Sequence, residues 1–326
     1  MIFRLFWIIF FSCFFIHSIF AWDTFFSDED LVFSNYPESI HSPGLVFERQ
    51  FEKKRLRVFY HHKNMMDEHM NIIFLLSNFS DESVVVNIQK GLGGSSKDVV
   101  FAGHKALSDF FLDILTEGDL VTLPPKSTTP VIIHKIKSNQ TSSGIVRFET
   151  FSDVDLKVKM MVVDTNYSNL SGFVDVPSLV SQFRVSYFEE SMRQSEQIFD
   201  LSEQYTSFQI GGKPFLKDTE SNYLLKGNYG LIYGVEILLA NFEETHQSVE
   251  FFLAPTKKNA VDRAIFLIDG ELVEVGILNY KKNVVMMEMF HEVLVAPNES
   301  KKIYLMTMPQ AGCFYPVDIV LKAKDV

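Results

Sequence analysis

The sequence predicts an all-β protein: two tandem immunoglobulin-like β-sandwich domains with one or two short helices, after an N-terminal signal segment. Three observations predict it. Short apolar or alternating runs recur along the chain, many rich in the Val, Ile, Phe and Tyr that suit a pleated, half-buried surface. Clusters of Gly, Pro, Asn and Ser punctuate these runs. A faint internal repeat links the two halves of the chain.

The length of 326 residues suggests about two domains at roughly 150 residues each. Apolar residues make up 47% and Phe alone contributes 32, so apolar material for two cores is plentiful. A formal charge of -11 argues against nucleic acid and against an anionic membrane surface, because both select basic patches.

Residues 1–21 form a targeting segment. Arg4 supplies a positive charge, Leu5 to Ile16 is almost purely apolar, and Ile19 and Ala21 occupy the −3 and −1 positions before Trp22. That order is a secretory signal. An uncleaved anchor is the alternative, since Leu5 to Trp22 spans 18 residues against the ~20 of a membrane helix. Membrane attachment would therefore require that the segment be retained. Cys13 follows Phe-Phe-Ser and precedes more apolar residues, which does not match a lipoprotein site. With the leader removed only Cys313 remains, and no intrachain disulfide forms. Asn78, Asn139, Asn166, Asn169 and Asn298 begin Asn-x-Ser/Thr sites, which matter only in a eukaryotic secretory route.

In chain order, strands are expected at Leu56–Tyr60, Asn71–Leu76, Val84–Ile88, Val131–Ile136, Ile145–Phe151 and Leu156–Val163. The second half adds Tyr229–Ala240, Val249–Leu253, Ala264–Ile268, Val284–Val295, Lys302–Met308 and Val317–Lys322. Lys105–Leu115 reads as a helix, with Leu107, Phe110, Phe111 and Ile114 on one face. Glu189–Phe199 is a weaker second helix.

In the repeat, Ile73–Phe79 leads to Val84–Ile88, and Ile237–Phe242 leads to Val249–Leu253, each through an Asn-containing turn. Later, Leu123-Pro124-Pro125-Lys126-Ser127 precedes one strand and Ala296-Pro297-Asn298-Glu299-Ser300 another. Proline there fixes φ and removes a donor, which suits an edge or loop. The pattern places one sandwich at 23–175 and a second at 178–326, joined at Val176-Pro177-Ser178. A single large sandwich or barrel is the alternative. No Cys…Trp…Cys framework occurs, so an antibody-type domain is excluded.

Several stretches carry a resemblance: Tyr36-Pro37-Glu38-Ser39-Ile40, Pro43-Gly44, Arg57-Val58-Phe59-Tyr60-His61-His62-Lys63-Asn64, Gly91-Leu92-Gly93-Gly94-Ser95-Ser96-Lys97-Asp98, Gly103-His104-Lys105-Ala106 and Lys226-Gly227-Asn228-Tyr229-Gly230-Leu231-Ile232-Tyr233. In this order they resemble the β-rich part of secreted bacterial proteins often found with a copper-amine-oxidase-type N-terminal stalk domain. The stalk is absent here, as is any amine-oxidase catalytic domain or its modified Tyr motif. The resemblance implies an exported β-sandwich protein at the cell envelope and transfers no catalytic residue and no cofactor.

Candidate chemistry is sparse. His61 and His62 are adjacent on a strand, hence on opposite faces, and do not chelate one ion. Met65, Met66 and Met70, and later Met286, Met287 and Met289, suit core filling better than copper binding. Gly91–Ser96 is reminiscent of a phosphate cradle but lacks the spacing of a P-loop. Gly227-Asn228-Tyr229-Gly230 reads as a turn feeding a strand. The acidic groups Asp28, Glu29 and Asp30, Glu189 and Glu190, and Glu243 and Glu244 read as solvated turns or helix faces. Neither a Gly-x-Ser-x-Gly elbow nor a His-Glu-x-x-His helix is present.

No enzyme is therefore expected, with no catalytic residue, no metal and no cofactor. The expectation is an exported interaction protein that contacts protein or glycan through sandwich-end loops. The candidate contact loop is Gly91, Gly93, Gly94, Ser95, Ser96 and Lys97. The alternatives are an assembly module pairing by strand edges and a hydrolase with a dispersed carboxylate site.

Overall fold

The structure is a computed structural model that describes residues 28–36, 38–51, 53–153, 156–165, 183–256, 261–279 and 287–325. The leader, the expected joint at 176–178, and Asn166 and Asn169 lie outside the described residues.

The first half builds β1 (Glu29–Tyr36), β2 (Ser39–Ile40), β3 (Gly44–Gln50), β4 (Arg55–Asn64), β5 (Met70–Asn78) and β6 (Val84–Leu92). A helix, α1 (Val99–Ile114), follows, then β7 (Asp119–Leu123), β8 (Ser127–Ile136), β9 (Thr141–Thr150), β10 (Leu156–Asp164) and β11 (Arg184–Phe188). One sheet runs β11-β1-β4-β9-β6-β7, with β2 on β4, and faces a second of order β3-β10-β5-β8. The second half builds β12 (Met192–Asp200), β13 (Tyr205–Ile210), β14 (Leu216–Lys217), β15 (Leu224–Leu225), β16 (Ile232–Ala240) and β17 (Gln247–Pro255). It ends with β18 (Val261–Ile268), β19 (Glu271–Asn279), β20 (Glu288–Val295), β21 (Ser300–Thr307) and β22 (Val317–Asp325). Its main sheets are β12-β16-β21-β18-β19 and β13-β22-β17-β20.

The chain is thus all-β, a pair of sandwiches. Within each, β3-β10-β5-β8 against β4-β9-β6-β7, and β13-β22-β17-β20 against β16-β21-β18-β19, follow one strand order. That order is the two Greek keys of an eight-stranded jelly roll. The equivalence extends to an added strand, for β1 runs parallel to β4 as β12 runs parallel to β16. Sheet membership changes between Phe188 and Met192, because β11 pairs with β1.

Two elements differ from expectation. Residues 192–200 form a strand rather than the second helix: nine residues pair in register with Ile232–Ala240. Ladder hydrogen bonds at a sheet edge override the modest helix propensity of Arg, Gln and Glu there. The helix α1 begins at Val99, not Lys105, with Asp98 accepting from the Val100 and Phe101 amides at 2.9 and 3.1 Å. Gly103 interrupts the helical pattern and masks this first turn. A Cβ there would lie 1.9 Å from the Ala311 carbonyl oxygen, so the glycine admits the second roll against the helix.

One apolar interior fills the first roll, including Val58, Tyr60, Phe74, Val146 and Phe148. The second is not confined to its own roll. It continues from Phe251, Phe266 and Leu305 across Leu107, Phe110 and Phe111 of α1 to Leu31, Phe33 and Phe59 on the outer face of the first roll's larger sheet. Two separate interiors would leave that face to solvent, which its apolar side chains preclude.

The faint repeat has a different basis from equivalent strands. Asn78 ends β5 and Asn241 follows β16, which occupy different places in their rolls. Both side chains make the same latch. Asn78 Oδ1 accepts from the Ser80 amide, and its Nδ2 donates to the carbonyls of Glu82 and Pro124 at 2.8 and 3.0 Å. Asn241 Oδ1 accepts from Glu243, and its Nδ2 donates to Thr245 and Ala296 at 2.9 and 3.0 Å. Asn64 repeats the pattern with Met66, Glu68 and Ile136. Each amide ties its own turn to a neighbouring connection between the two sheets and satisfies buried backbone groups.

Candidate functional site

The loop from Gly91 to Lys97 closes β6 onto α1. A Cβ on Gly91 would lie 1.9 Å from the Ala106 carbonyl oxygen, and one on Gly93 2.0 Å from that of Ala102. Both glycines let helix and strand approach. The Gly93 amide donates to Ser143, Ser95 Oγ accepts from the Lys137 amide, and Ser96 Oγ accepts from that of Asp98. Gly94 takes φ +66° with open space around it. Of the six, only Lys97 is exposed, while Gly91 and Gly93 are buried.

The two histidines take opposite faces of β4, and both are buried. His62 Nε2 meets Ser34 Oγ at 3.0 Å and the ring stands edge-on to Phe183 in the first roll. His61 faces the second roll, with Nδ1 on Ser143 Oγ. Burial pushes the His61 pKa down to about 4, so this imidazole is neutral near pH 7. Met66 and Met70 pack with the first interior, while Met287 and Met289 are exposed and Met286 lies outside the described residues. Cys313 is buried, its Sγ accepting from the Arg263 amide and Gln310 Nε2. Burial pushes the thiol up to about 12, so no thiolate forms near neutrality.

The acidic groups divide. Glu29 is fully buried in β1, against the solvated turn expected of it, with Arg57 and Arg147 each 3.7 Å away. Alternation on β1 aims it with Leu31 and Phe33 at the inter-roll face, where the two guanidinium groups balance it. Arg57 also donates to the Ser191 carbonyl across the inter-roll contact at 2.6 Å. Glu189 and Glu190 precede β12 rather than lying on a helix. Burial raises Glu48 and Glu274, but hydrogen bonds from Lys157 and Lys159 to the first, and from Ser108 and His104 to the second, outweigh it and hold both below the usual carboxylate range.

A groove of about 930 Å³ opens at one end of the second roll. Its walls are Ser202 and Gln204 after β12, Tyr205 at the start of β13, Thr245 and Gln247 entering β17, and Lys322 and Lys324 of β22. The Asn241 latch shapes one wall, since it fixes the turn that carries Glu243 and Thr245. The backbone shapes another: Gln204 takes φ 63° and its carbonyl accepts from the Ala323 amide at 2.8 Å. Tyr205 is 67% exposed, and Phe242, beside Glu243 in the latched turn, is 68% exposed. Lys322 is held over the Phe252 ring at 5.0 Å. The groove therefore offers an aromatic face surrounded by amide, hydroxyl, ammonium and carboxylate groups, the last from Glu243.

Sequence reasoning missed this groove. Tyr205 resembles any core aromatic in a chain holding 32 Phe. The one legible signal is Phe242, an apolar residue directly after a turn-forming Asn.

No protein family and no curated protein matches the chain by sequence. Among solved structures, the pre-peptidase C-terminal domain of collagenase from Bacillus anthracis is 8% identical, covering 40% of this chain and 97% of its own, at a TM-score of 0.20. The CUB1-EGF-CUB2 domain of human MASP-1/3 is 10% identical over 90% of this chain and 98% of its own, at 0.21. The CBM22-1-CBM22-2 tandem domain from Paenibacillus barcinonensis Xyn10C is 9% identical over 81% and 74%, at 0.13. Scores this low carry no argument about function.

Proposed function

We propose that this protein is an exported, non-enzymatic binding protein of the cell envelope or extracellular space that takes glycan in the end groove of its second roll. The observation that carries the proposal is Tyr205, with its ring two-thirds exposed in an open, mostly polar groove. An exposed aromatic is kept from water only when a ligand covers it, and an amphipathic ligand both stacks on the ring and hydrogen-bonds around it. A saccharide has that character. Gln204, Thr245 and Gln247 supply donors and acceptors beside the ring, on backbone that the Asn241 latch holds rigid. Loops on a rigid sandwich are suited to recognition.

The leader supports export, since a charged start, an apolar run and small residues precede Trp22. No helix among the described residues is long and apolar enough to cross a membrane.

A glycan array probed with the purified protein tests the proposal. Binding to a defined glycan set is expected, and Tyr205→Ala should weaken it about tenfold or more, the scale of a lost aromatic anchor. The melting temperature should stay unchanged, because the ring is mostly in solvent. Failure to bind any glycan, or retention of full affinity by the variant, overturns the assignment.

A further inference from the structure

A second pocket, of about 430 Å³, opens where the two rolls meet. Its floor is aromatic. Phe33 of β1 stacks on Phe59 of β4 at 5.5 Å between centroids and 22° between planes, and on Tyr229 of the second roll at 6.2 Å and 13°. The Tyr229 hydroxyl donates to the Cys313 carbonyl at 2.8 Å, and its ring meets Tyr315 edge-on at 5.8 Å, so its orientation is fixed. Glu38 and Phe314 stand at the rim, each about half exposed.

The charge balance around this floor is one-sided. Among the described residues, Glu38 is the one lining side chain with a formal charge, and no lysine or arginine lines the pocket. His61 lines it as a neutral ring above about pH 5, with Nε2 3.8 Å from Glu38 Oε1. The first turn of α1 also borders the pocket, and a bare helix N-terminus there would favour an anion. Asp98 removes that preference by capping the Val100 and Phe101 amides. Behind the rim, Asp262 accepts from the Phe314 amide at 2.8 Å, while Arg263 turns its Nε toward the Val275 carbonyl at 3.5 Å.

We propose that the inter-roll pocket binds a small organic ammonium ion, its charge beside Glu38 and its apolar body against Tyr229 and Phe314, the lining rings that are not buried. Aromatic faces carry negative charge density and attract a cation, and a carboxylate at the mouth adds to this. The volume lies within the usual ~300–1,000 Å³ of small-molecule sites, and the junction of two domains is a common place for one. An anion would meet a carboxylate and negative ring faces, with no cation among the described lining residues to offset them. This site is independent of the end groove and stands whether or not the protein binds glycan.

Calorimetric titration of the full protein with benzyltrimethylammonium, benzyl alcohol and benzoate tests it. The cation should bind about tenfold more tightly than the alcohol, the scale of a partly desolvated cation–π contact with a nearby carboxylate. Benzoate should not bind. Glu38→Gln should lower the cation's affinity about tenfold and leave that of the alcohol unchanged. Phe314→Ala, at a half-exposed rim position where folding is not at stake, should weaken both. Equal binding of benzoate and the cation, an unchanged affinity in Glu38→Gln, or no binding of any probe at millimolar concentration overturns the proposal.

Discussion

The first roll carries α1 in the connection from β6 to β7, whereas the second joins the equivalent β18 and β19 by Asp269 and Gly270 alone, at φ 50° and 87°. Two positive φ values in a two-residue loop match the right-handed twist of paired strands. In the first roll α1 lies on β6 and β9 and also touches β18 and β19 of the second roll. The outer face of its larger sheet is therefore interior: in β9 every residue from Thr141 to Phe148 is buried. The corresponding face of the second roll stays open, with Ile198 73% exposed and Lys302 paired with Glu236 at the surface. One strand order thus serves two roles, and what covers the outer face decides which. The comparison can be broken at several points, beginning with the charges it buries.

The largest effect is expected at Arg57. It is fully buried with Glu29 and Arg147 on the covered face and bonds to the second roll through the Ser191 carbonyl. Burial lowers its pKa, Glu29 opposes this, and Arg147 adds to it. Arg57→Met leaves the Glu29 carboxylate short of a partner in a dry site. The expected loss is about 3–5 kcal/mol in equilibrium urea denaturation. Lys302→Met, on the open face, should cost under ~1 kcal/mol. Equal losses would mean that the covered face is not structurally distinct.

Acid should act next, and mainly on the first roll. His61 and His134 are both buried there, and burial pushes each pKa from 6.5 down to about 4. A histidine whose folded pKa is depressed binds fewer protons folded than unfolded between those values. Stability should therefore be full above about pH 6.5 and fall as pH drops toward 4. Each buried imidazole accounts for a loss on the order of 3 kcal/mol across that window. Denaturation at pH 7, 5.5 and 4 measures the slope, and His134→Gln should flatten part of it. A slope untouched by that variant would place the acid sensitivity elsewhere.

The same division decides how much was legible in the sequence. Strands with one open face announced themselves by alternation, as Lys302–Met308 did for β21. Those buried on both faces, such as β4 and β9, were legible as short apolar runs with their outer ends missed. Glu29 was misjudged because an acidic triplet reads as solvated, and nothing local shows two arginines arriving from β4 and β9. Gly103 concealed the start of α1 because the residue that faces it, Ala311, is far along the chain. The Asn78 and Asn241 turns are visible in the sequence, but the repeat they form does not mark equivalent strands. The end groove was illegible, since exposure of Tyr205 depends on which neighbours fail to cover it.

The smallest effects test the helix through Gly103, set against Gly270 in the hairpin that takes its place in the second roll. In an exposed helix, Gly→Ala stabilises by roughly 1 kcal/mol. At Gly103 the added methyl would meet the Ala311 backbone, and overpacking costs about 1–3 kcal/mol. The two terms oppose, so Gly103→Ala should be net destabilising, by up to about 2 kcal/mol. Gly270, the hairpin counterpart, has open space around its Cβ position, and only its φ of +87° penalises alanine. Gly270→Ala should cost about 1–2 kcal/mol, the penalty of an L-residue in the left-handed region. Thermal or urea denaturation of both variants reads the sign. Were Gly103→Ala stabilising, α1 would behave as a free helix, and the second roll would not be pressed against it.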